Sequence, residues 1–279
     1  MSDHAEKLTP TEYIQHHLGH LARDMTPNID KDGFMSMHFD TMVMSFALGL
    51  MMCFGFWMAT RKATSGVPGK WQAFVEIVLE FIDGQAKDAY HGTSKLVTPI
   101  AITLFCWILL MNAMDFIPVD FVATIAGFVG HTFFGMDPHQ VHWRPVPTAD
   151  VNATFAMSIT VFFLMIFFAL RAKGLGGFIH ELFTAPFGPW MFPANILLNV
   201  VELVSKPVSL AMRLFGNMYG GEIVFLLIWL LGSVSVFGAL LSGALGLAWG
   251  IFHILIVILQ AFIFMMLSVV YLSLMEEHH

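Results

Sequence analysis

Charge is what this sequence has least of. Only 12% of its 279 residues are charged, against 57% hydrophobic, where a soluble globular domain carries about 25% charged residues. That deficit excludes a disordered chain and an ordinary soluble enzyme. The charge that is present leans acidic, 13 Lys and Arg against 20 Asp and Glu for a net −7, so no basic face is available for nucleic-acid phosphates. Cysteine is nearly missing, and Cys53 and Cys106 both sit in apolar runs, which excludes a disulfide framework. The motifs of hydrolases and nucleotide binders are absent as well: there is no G-x-S-x-G elbow and no P-loop. His180-Glu181 opens an H-E-x-x-H pattern that fails at Thr184. What is abundant is Phe (28) and Met (20), with a mean hydropathy of +0.73. Such a composition suits a lipid-facing surface with soft, adaptable packing, and the chain reads as an integral membrane protein.

Residues 1–38 are polar and lack the apolar stretch of a cleavable signal peptide. Thr9-Pro10-Thr11-Glu12 combines an N-cap, a first-turn proline and a capping-box glutamate, predicting a short helix from about Pro10 to Arg23 whose His16, His17 and His20 form a solvated face. Apolar runs follow at 41–60, 97–114, 151–170, 194–232 and 234–275. The first three match the roughly 20 residues that cross a bilayer core. Between the first two, 69–90 places Trp71, Phe74, Val75, Val78, Phe81 and Ile82 on one face and Glu76, Glu80, Asp83 and Lys87 on the other, an amphipathic interfacial helix. As straight helices the last two runs would be about 58 and 63 Å long. Neither has a polar break, and Pro207 is tolerated within a membrane helix without ending it.

The expected fold is therefore an all-α integral membrane protein of about five spans. Its last two helices would form a long, strongly tilted hairpin joined near Gly232-Ser233, with amphipathic interfacial helices added. Residues 1–38 form an extracytoplasmic segment and 39–279 a single membrane domain. Basic residues set the orientation. Arg61, Lys62, Lys70, Lys87 and Lys95 follow the first span and Arg171 and Lys173 the third, whereas 115–150 carries Asp115, Asp120, Asp137 and Asp150 against Arg144 alone. The N-terminus is expected outside and the C-terminus inside.

Within the fourth run, Asn199, Glu202, Lys206, Ser209, Arg213 and Asn217 recur every three or four residues and make one polar stripe on an otherwise apolar rod. Glu222 lies about 180° round the helix from Arg213. In the fifth run His253 and Gln260 begin a thinner stripe continued by Ser268 and Tyr271. Charges inside a membrane mark ion or substrate paths, and arginine does not deprotonate. A fixed cation blocks a free proton and draws one from a passing carboxylic acid by stabilising the carboxylate. That acid would have to come from a partner. Glu222 and His253 can both titrate and are expected to act as a coupled pair, while Gly216-x-x-x-Gly220 and Gly246-x-x-x-Gly250 suggest close helix packing. The residues thus describe a proton path with an electrostatic gate. The competing classes are a secondary transporter, for which the usual internal repeat is not visible, and an intramembrane protease, for which the zinc pair is incomplete.

The segment from Ser205-Lys-Pro-Val-Ser to Arg213-Leu-Phe-Gly-Asn-Met-Tyr-Gly-Gly-Glu222 resembles the signature of subunit a of bacterial F-type ATP synthases. Gly250 to Phe264, Lys62 to Gly69, Met111-Asn-Ala-Met-Asp115 with Pro118 and Asp120, and Pro147 to Asn152 are similar to further stretches of that family. The resemblance implies a non-catalytic stator subunit of the membrane sector in the bacterial inner membrane, with two offset aqueous half-channels. Arg213 would be the essential arginine facing the ring of c subunits. Asn217, Glu222, His253, Gln260 and Ser209 would line or support the proton path, with Asp115, Asn112, Glu202 and Lys206 as further candidates. It implies the c-ring, peripheral-stalk b subunits and the lipid bilayer as partners and protons as cargo, with no cofactor, metal or nucleic acid. Two departures accompany it: a longer 121–146 loop, and an acid at Glu202 where some relatives carry one at the place of Asn199.

Overall fold

The computed structural model describes residues 22–24, 36–61, 63–64, 66–92, 94–117, 132 and 144–276. Most of the helix expected over Pro10–Arg23, most of the 121–146 loop, Lys62, Pro118, Asp120 and the last three residues lie outside them. The end of that expected helix is corrected: Ala22–Asp24 is a strand (β1), paired antiparallel with Ser36–His38 (β2) in the register Ala22 to His38. Backbone hydrogen bonding to β2 takes the place of a last helical turn.

Among the described residues six α-helices follow: α1 Phe39–Arg61, α2 Lys70–Ala89, α3 Val97–Ala113, α4 Val151–Thr184, α5 Phe192–Val234 and α6 Val236–Glu276. Among the described residues, five helical segments are long and apolar enough to span a membrane, all but α2. Helix α1 is peripheral, with Phe46, Leu50, Phe54 and Trp57 more than half exposed, as lipid-facing side chains should be. The packed interior lies between α3, α4, α5 and α6. Phe105, Ile108 and Met111 meet Val161, Met165 and Phe168, Leu210, Leu214 and Met218, and Val257, Ala261, Phe264 and Met265. On α6 the buried positions recur every three or four residues from His253 to Leu272, one helical face turned inward. That same face carries the polar groups His253, Gln260 and Ser268.

Three differences from the sequence reading have local causes. Beyond the expected third span, a second helical stretch of α4 continues to Thr184 after a break at Gly174, whose φ of 68° is a left-handed conformation that glycine adopts freely. The long hairpin breaks at Ser235 rather than Gly232-Ser233. Ser235 is extended (φ −160°), and its hydroxyl accepts the N–H of Gly238 at 3.0 Å, an N-cap for α6. Helix α5 is continuous through Pro207, as expected. The third difference concerns glycines. Among the described residues a Cβ at Gly216, Gly220 or Gly250 would meet nothing within 4 Å, so these three pack against no helix there, whereas at Gly246 it would touch Ile228 of α5 at 3.7 Å, as expected. The close approach is at Gly221, where a Cβ would fall 2.3 Å from Cε1 of His253.

At the far end of α6, Glu276 accepts a hydrogen bond from Tyr90, just past α2. Burial and the Glu276 carboxylate push the Tyr90 hydroxyl up to about 12, so it remains the donor.

Candidate proton-path site

The polar groups on α5 and α6 divide into two clusters with Arg213 between them. Toward the C-terminal half of α5 the cluster is buried and assembled from distant parts of the chain. Glu222, 5% exposed, forms an ion pair with Arg144, 4% exposed, on the segment leading into α4. Arg144 also donates its backbone N–H to Asp40 of α1 at 3.2 Å, and its guanidinium lies 5.8 Å from the Tyr219 ring. His253 is fully buried on α6, and its Nε2 is 2.5 Å from Oδ2 of Asp115, in the 3-10 turn that ends α3. Asn217 donates its amide to Oε1 of Gln260 at 2.6 Å, joining α5 to α6. Asn112 accepts from Thr148 at 2.7 Å and donates to the Val257 carbonyl at 3.5 Å. At the outer edge of this cluster Asp150 caps α4 through the Asn152 N–H, accepts from Thr41 at 2.9 Å and pairs with His38 Nδ1 at 2.6 Å.

Among the described residues Glu222 and His253, expected to act as a coupled pair, make no direct bond to each other. His253 packs against Gly221, one residue from Glu222, yet its ion-pair partner is Asp115, while Glu222 faces Arg144. One physical reason is steric: the imidazole edge lies flat on the glycine, so its Nε2 reaches past α5 to the end of α3.

Arg213 is half-buried on α5, and its Nη2 lies 3.4 Å from Ser209 Oγ one turn away. Among the described residues no carboxylate pairs with it. Ser209, Met212, Gly216 and Asn217 around it are exposed, so the guanidinium stands on an open face of the bundle.

Toward the N-terminal half of α5 the pairs are local. Glu202 and Lys206, one turn apart, are 2.8 Å apart, with Glu202 65% exposed and Lys206 12%. Lys206 also lies 5.7 Å from the Tyr271 ring. Lys173 binds both oxygens of Glu181 at 2.8 and 2.7 Å across the Gly174 bend. These four charged groups line a cavity of about 310 Å³ closed by Leu203, Leu274 and Met275. Asn199 belongs to the stripe in sequence but is structural here. Its amide donates to the carbonyls of Leu182 and Ala185 at 3.1 and 2.9 Å, and with Asn195 it holds the turn after α4 in place.

The family model described as ATP synthase A chain matches residues 42–273. The chain belongs to the ATP synthase A chain family. It is 47% identical to the ATP synthase subunit a of Marinomonas sp. over 285 residues, 98% of this chain and 99% of that one. To the ATP synthase subunit a of Acinetobacter baumannii it is 44% identical over the full length of both, and to that of Alkalilimnicola ehrlichii 47% identical over 97% of each.

Arg213, Ser209 and Asn217 lie together on the open face, and Asn217 reaches from it to the buried Gln260. Glu222, His253, Asp115 and Asn112 lie in the buried cluster beyond it, and Glu202 and Lys206 lie at the opposite end. Sequence reasoning passed over Arg144. The signal was there, since it is the lone base in a segment of aspartates, and a base that the positive-inside rule places on the wrong side needs a local acid. His38 and Asp150 were passed over as well. Their partners are 112 residues apart, which no periodicity connects.

Proposed function

We propose that Arg213 is the electrostatic gate of a two-channel proton path, and that the acid it exchanges protons with comes from a ring of c subunits. Membership in the ATP synthase A chain family makes the chain a proton-translocating membrane component of ATP synthase that is not itself catalytic. The observation that carries the finer reading is the open placement of Arg213. A guanidinium that is always charged stands on an exposed face with a hydroxyl beside it and no carboxylate of its own among the described residues. A charge at membrane depth is strongly unfavourable unless it meets an opposite one, so a mobile carboxylate on a partner satisfies it. When that carboxylic acid arrives, the cation stabilises its ionised form and the proton leaves. Direct passage of a proton past Arg213 is opposed by like charge.

In this reading Asp115, Asn112, His253, Glu222, Asn217 and Gln260 form or support the outer half-channel, about 13 Å beyond Arg213 at Glu222. Ser209, Glu202 and Lys206 belong to the inner one. The N-terminus lies outside, the C-terminus inside, and α5 and α6 cross the bilayer at a tilt. Residues 1–38 and the membrane domain 39–279 then fall on the expected sides. The exposed apolar face of α1 meets lipid and the peripheral-stalk b subunits.

Single cysteines placed along 206–222 test the path. In the assembled complex they should react with water-soluble thiol reagents in two zones separated by an unreactive stretch at Arg213. One continuous reactive stripe reached from a single side would overturn the two-channel reading and favour an alternating-access cavity.

A further inference from the structure

His253 is held more tightly than a proton-path histidine needs for its bond to Asp115. Three aromatic rings enclose it. Trp249, one turn earlier on α6, stacks at 6.1 Å with the planes 29° apart. Phe225 of α5 meets it nearly perpendicular, at 5.2 Å and 83°, and Phe116 closes a third side at 5.6 Å and 69°. Gly221 supplies the fourth wall: a Cβ there would lie 2.9 Å from Nδ1 and 3.3 Å from Nε2, so the ring's nitrogen-bearing edge lies along the α5 backbone. Nε2 is engaged by Asp115, whereas Nδ1 is buried with no hydrogen-bond partner among the described residues. Rings on both flanks and backbone at the edge leave no room for the imidazole to turn over.

We propose that Trp249 and Phe225 are positioning residues that lock the His253 imidazole in one orientation, so that Nε2 stays on Asp115. The inference rests on the reading of His253 as part of the outer half-channel. A proton held between the Asp115 carboxyl and Nε2 then moves along one fixed axis: on the carboxyl it faces a neutral ring, and on Nε2 it makes an imidazolium facing a carboxylate. Turning the ring over would put Cε1 where Nε2 stands and break that contact. Edge-on and stacked contacts of this kind hold ring geometry as well as area, and small misplacement of a reacting group lowers rates steeply.

The test uses the intact ATP synthase complex in vesicles, carrying Trp249→Leu, Trp249→Phe or Phe225→Leu. ATP-driven proton pumping is read per assembled complex, and His253 is observed by solid-state NMR of ¹⁵N-labelled histidine, its signal assigned by loss in His253→Gln. We expect Trp249→Leu and Phe225→Leu to lower pumping by roughly tenfold and to broaden or double the His253 ring resonances, with Trp249→Phe close to wild type in both. Should Trp249→Leu fail to assemble, Phe225→Leu carries the same two readouts. Unchanged, single His253 resonances in the ring-loss variants would overturn the lock. Normal pumping by His253→Gln would instead overturn the half-channel reading on which it rests.

Discussion

The two halves of α5 hold their charges in opposite ways. Toward its C-terminal end, Glu222 and Arg144 are 78 residues apart in sequence, Asp115 and His253 138. Each of those four side chains is at most 6% exposed. Toward its N-terminal end, Glu202 and Lys206 are neighbours on one helix turn, and Lys173 and Glu181 are 8 residues apart. Glu202 in that group is largely open. Buried ion pairs built across helices depend on every element that delivers a partner, and removing one partner is severe because the other charge is stranded. Exposed pairs on one turn contribute little. The two buried pairs therefore make one end of α5 rigid, and the two local pairs leave the other adjustable.

The sharpest way to break the comparison is at the boundary. Arg213→Ala should leave the complex assembled yet reduce ATP-driven pumping by about a hundredfold or more, the scale on which a lost charge-stabilising group acts. Passive proton leak through the membrane sector should persist or rise. Dye-quench assays on inverted vesicles measure both, and normal pumping by the assembled variant would remove the gate.

Next in size is the buried pair. Arg144→Ala takes away the guanidinium that faces Glu222 and should destabilise the subunit by about 3–5 kcal/mol, seen as poor assembly or a lowered melting temperature of the purified complex. The double variant with Glu222→Gln should be less destabilised than the sum of the two single losses, because both act on one pair. Simple additivity would mean that the Arg144 side chain acts mainly elsewhere, as on the Tyr219 ring.

Two adjacent glycines sharpen the comparison further. At Gly221 a Cβ would press on His253, whereas at Gly220 it would meet nothing within 4 Å among the described residues. Gly221→Ala should lower pumping by roughly tenfold through displacement of the imidazole, and Gly220→Ala should behave as wild type inside this chain. A defect of equal size in both would point to the partner's surface rather than to His253.

The smallest effect belongs to the local end. Glu202→Gln should change stability by less than about 0.5 kcal/mol, the value of an exposed pair one turn apart, and whatever change appears should shrink in high salt. A loss as large as that from Arg144→Ala would show that the two ends do not differ as their burial suggests.

This contrast also explains what could be read without coordinates. Helical periodicity places Ser209, Arg213 and Asn217 on one face, and it places Glu202 beside Lys206, because both facts follow from residues three or four apart. Span number and the continuity of α5 through Pro207 followed from apolar run length. The partners of Glu222 and His253 did not follow, since Arg144 and Asp115 arrive from loops whose position depends on how α3 and α4 pack. Asn199 misled for the same reason: it sits in phase with the stripe, but its amide is consumed by carbonyls from the turn after α4. The bend at Gly174 was hidden within a run that stays helical on both sides of it.

The joint between α5 and α6 is a single residue, Ser235. On either side of it Gly232 lies against Ser242 and Gly238 against the Leu231 carbonyl, with no space for even a methyl group. Such a connection has no slack. A sideways push on Arg213 is carried along α5 and through the joint into α6 rather than taken up by a loop, so the two helices resist load as one braced strut. In the proposed reading a ring of c subunits turns past this face, and stiffness at that corner keeps Arg213 from being dragged along with it.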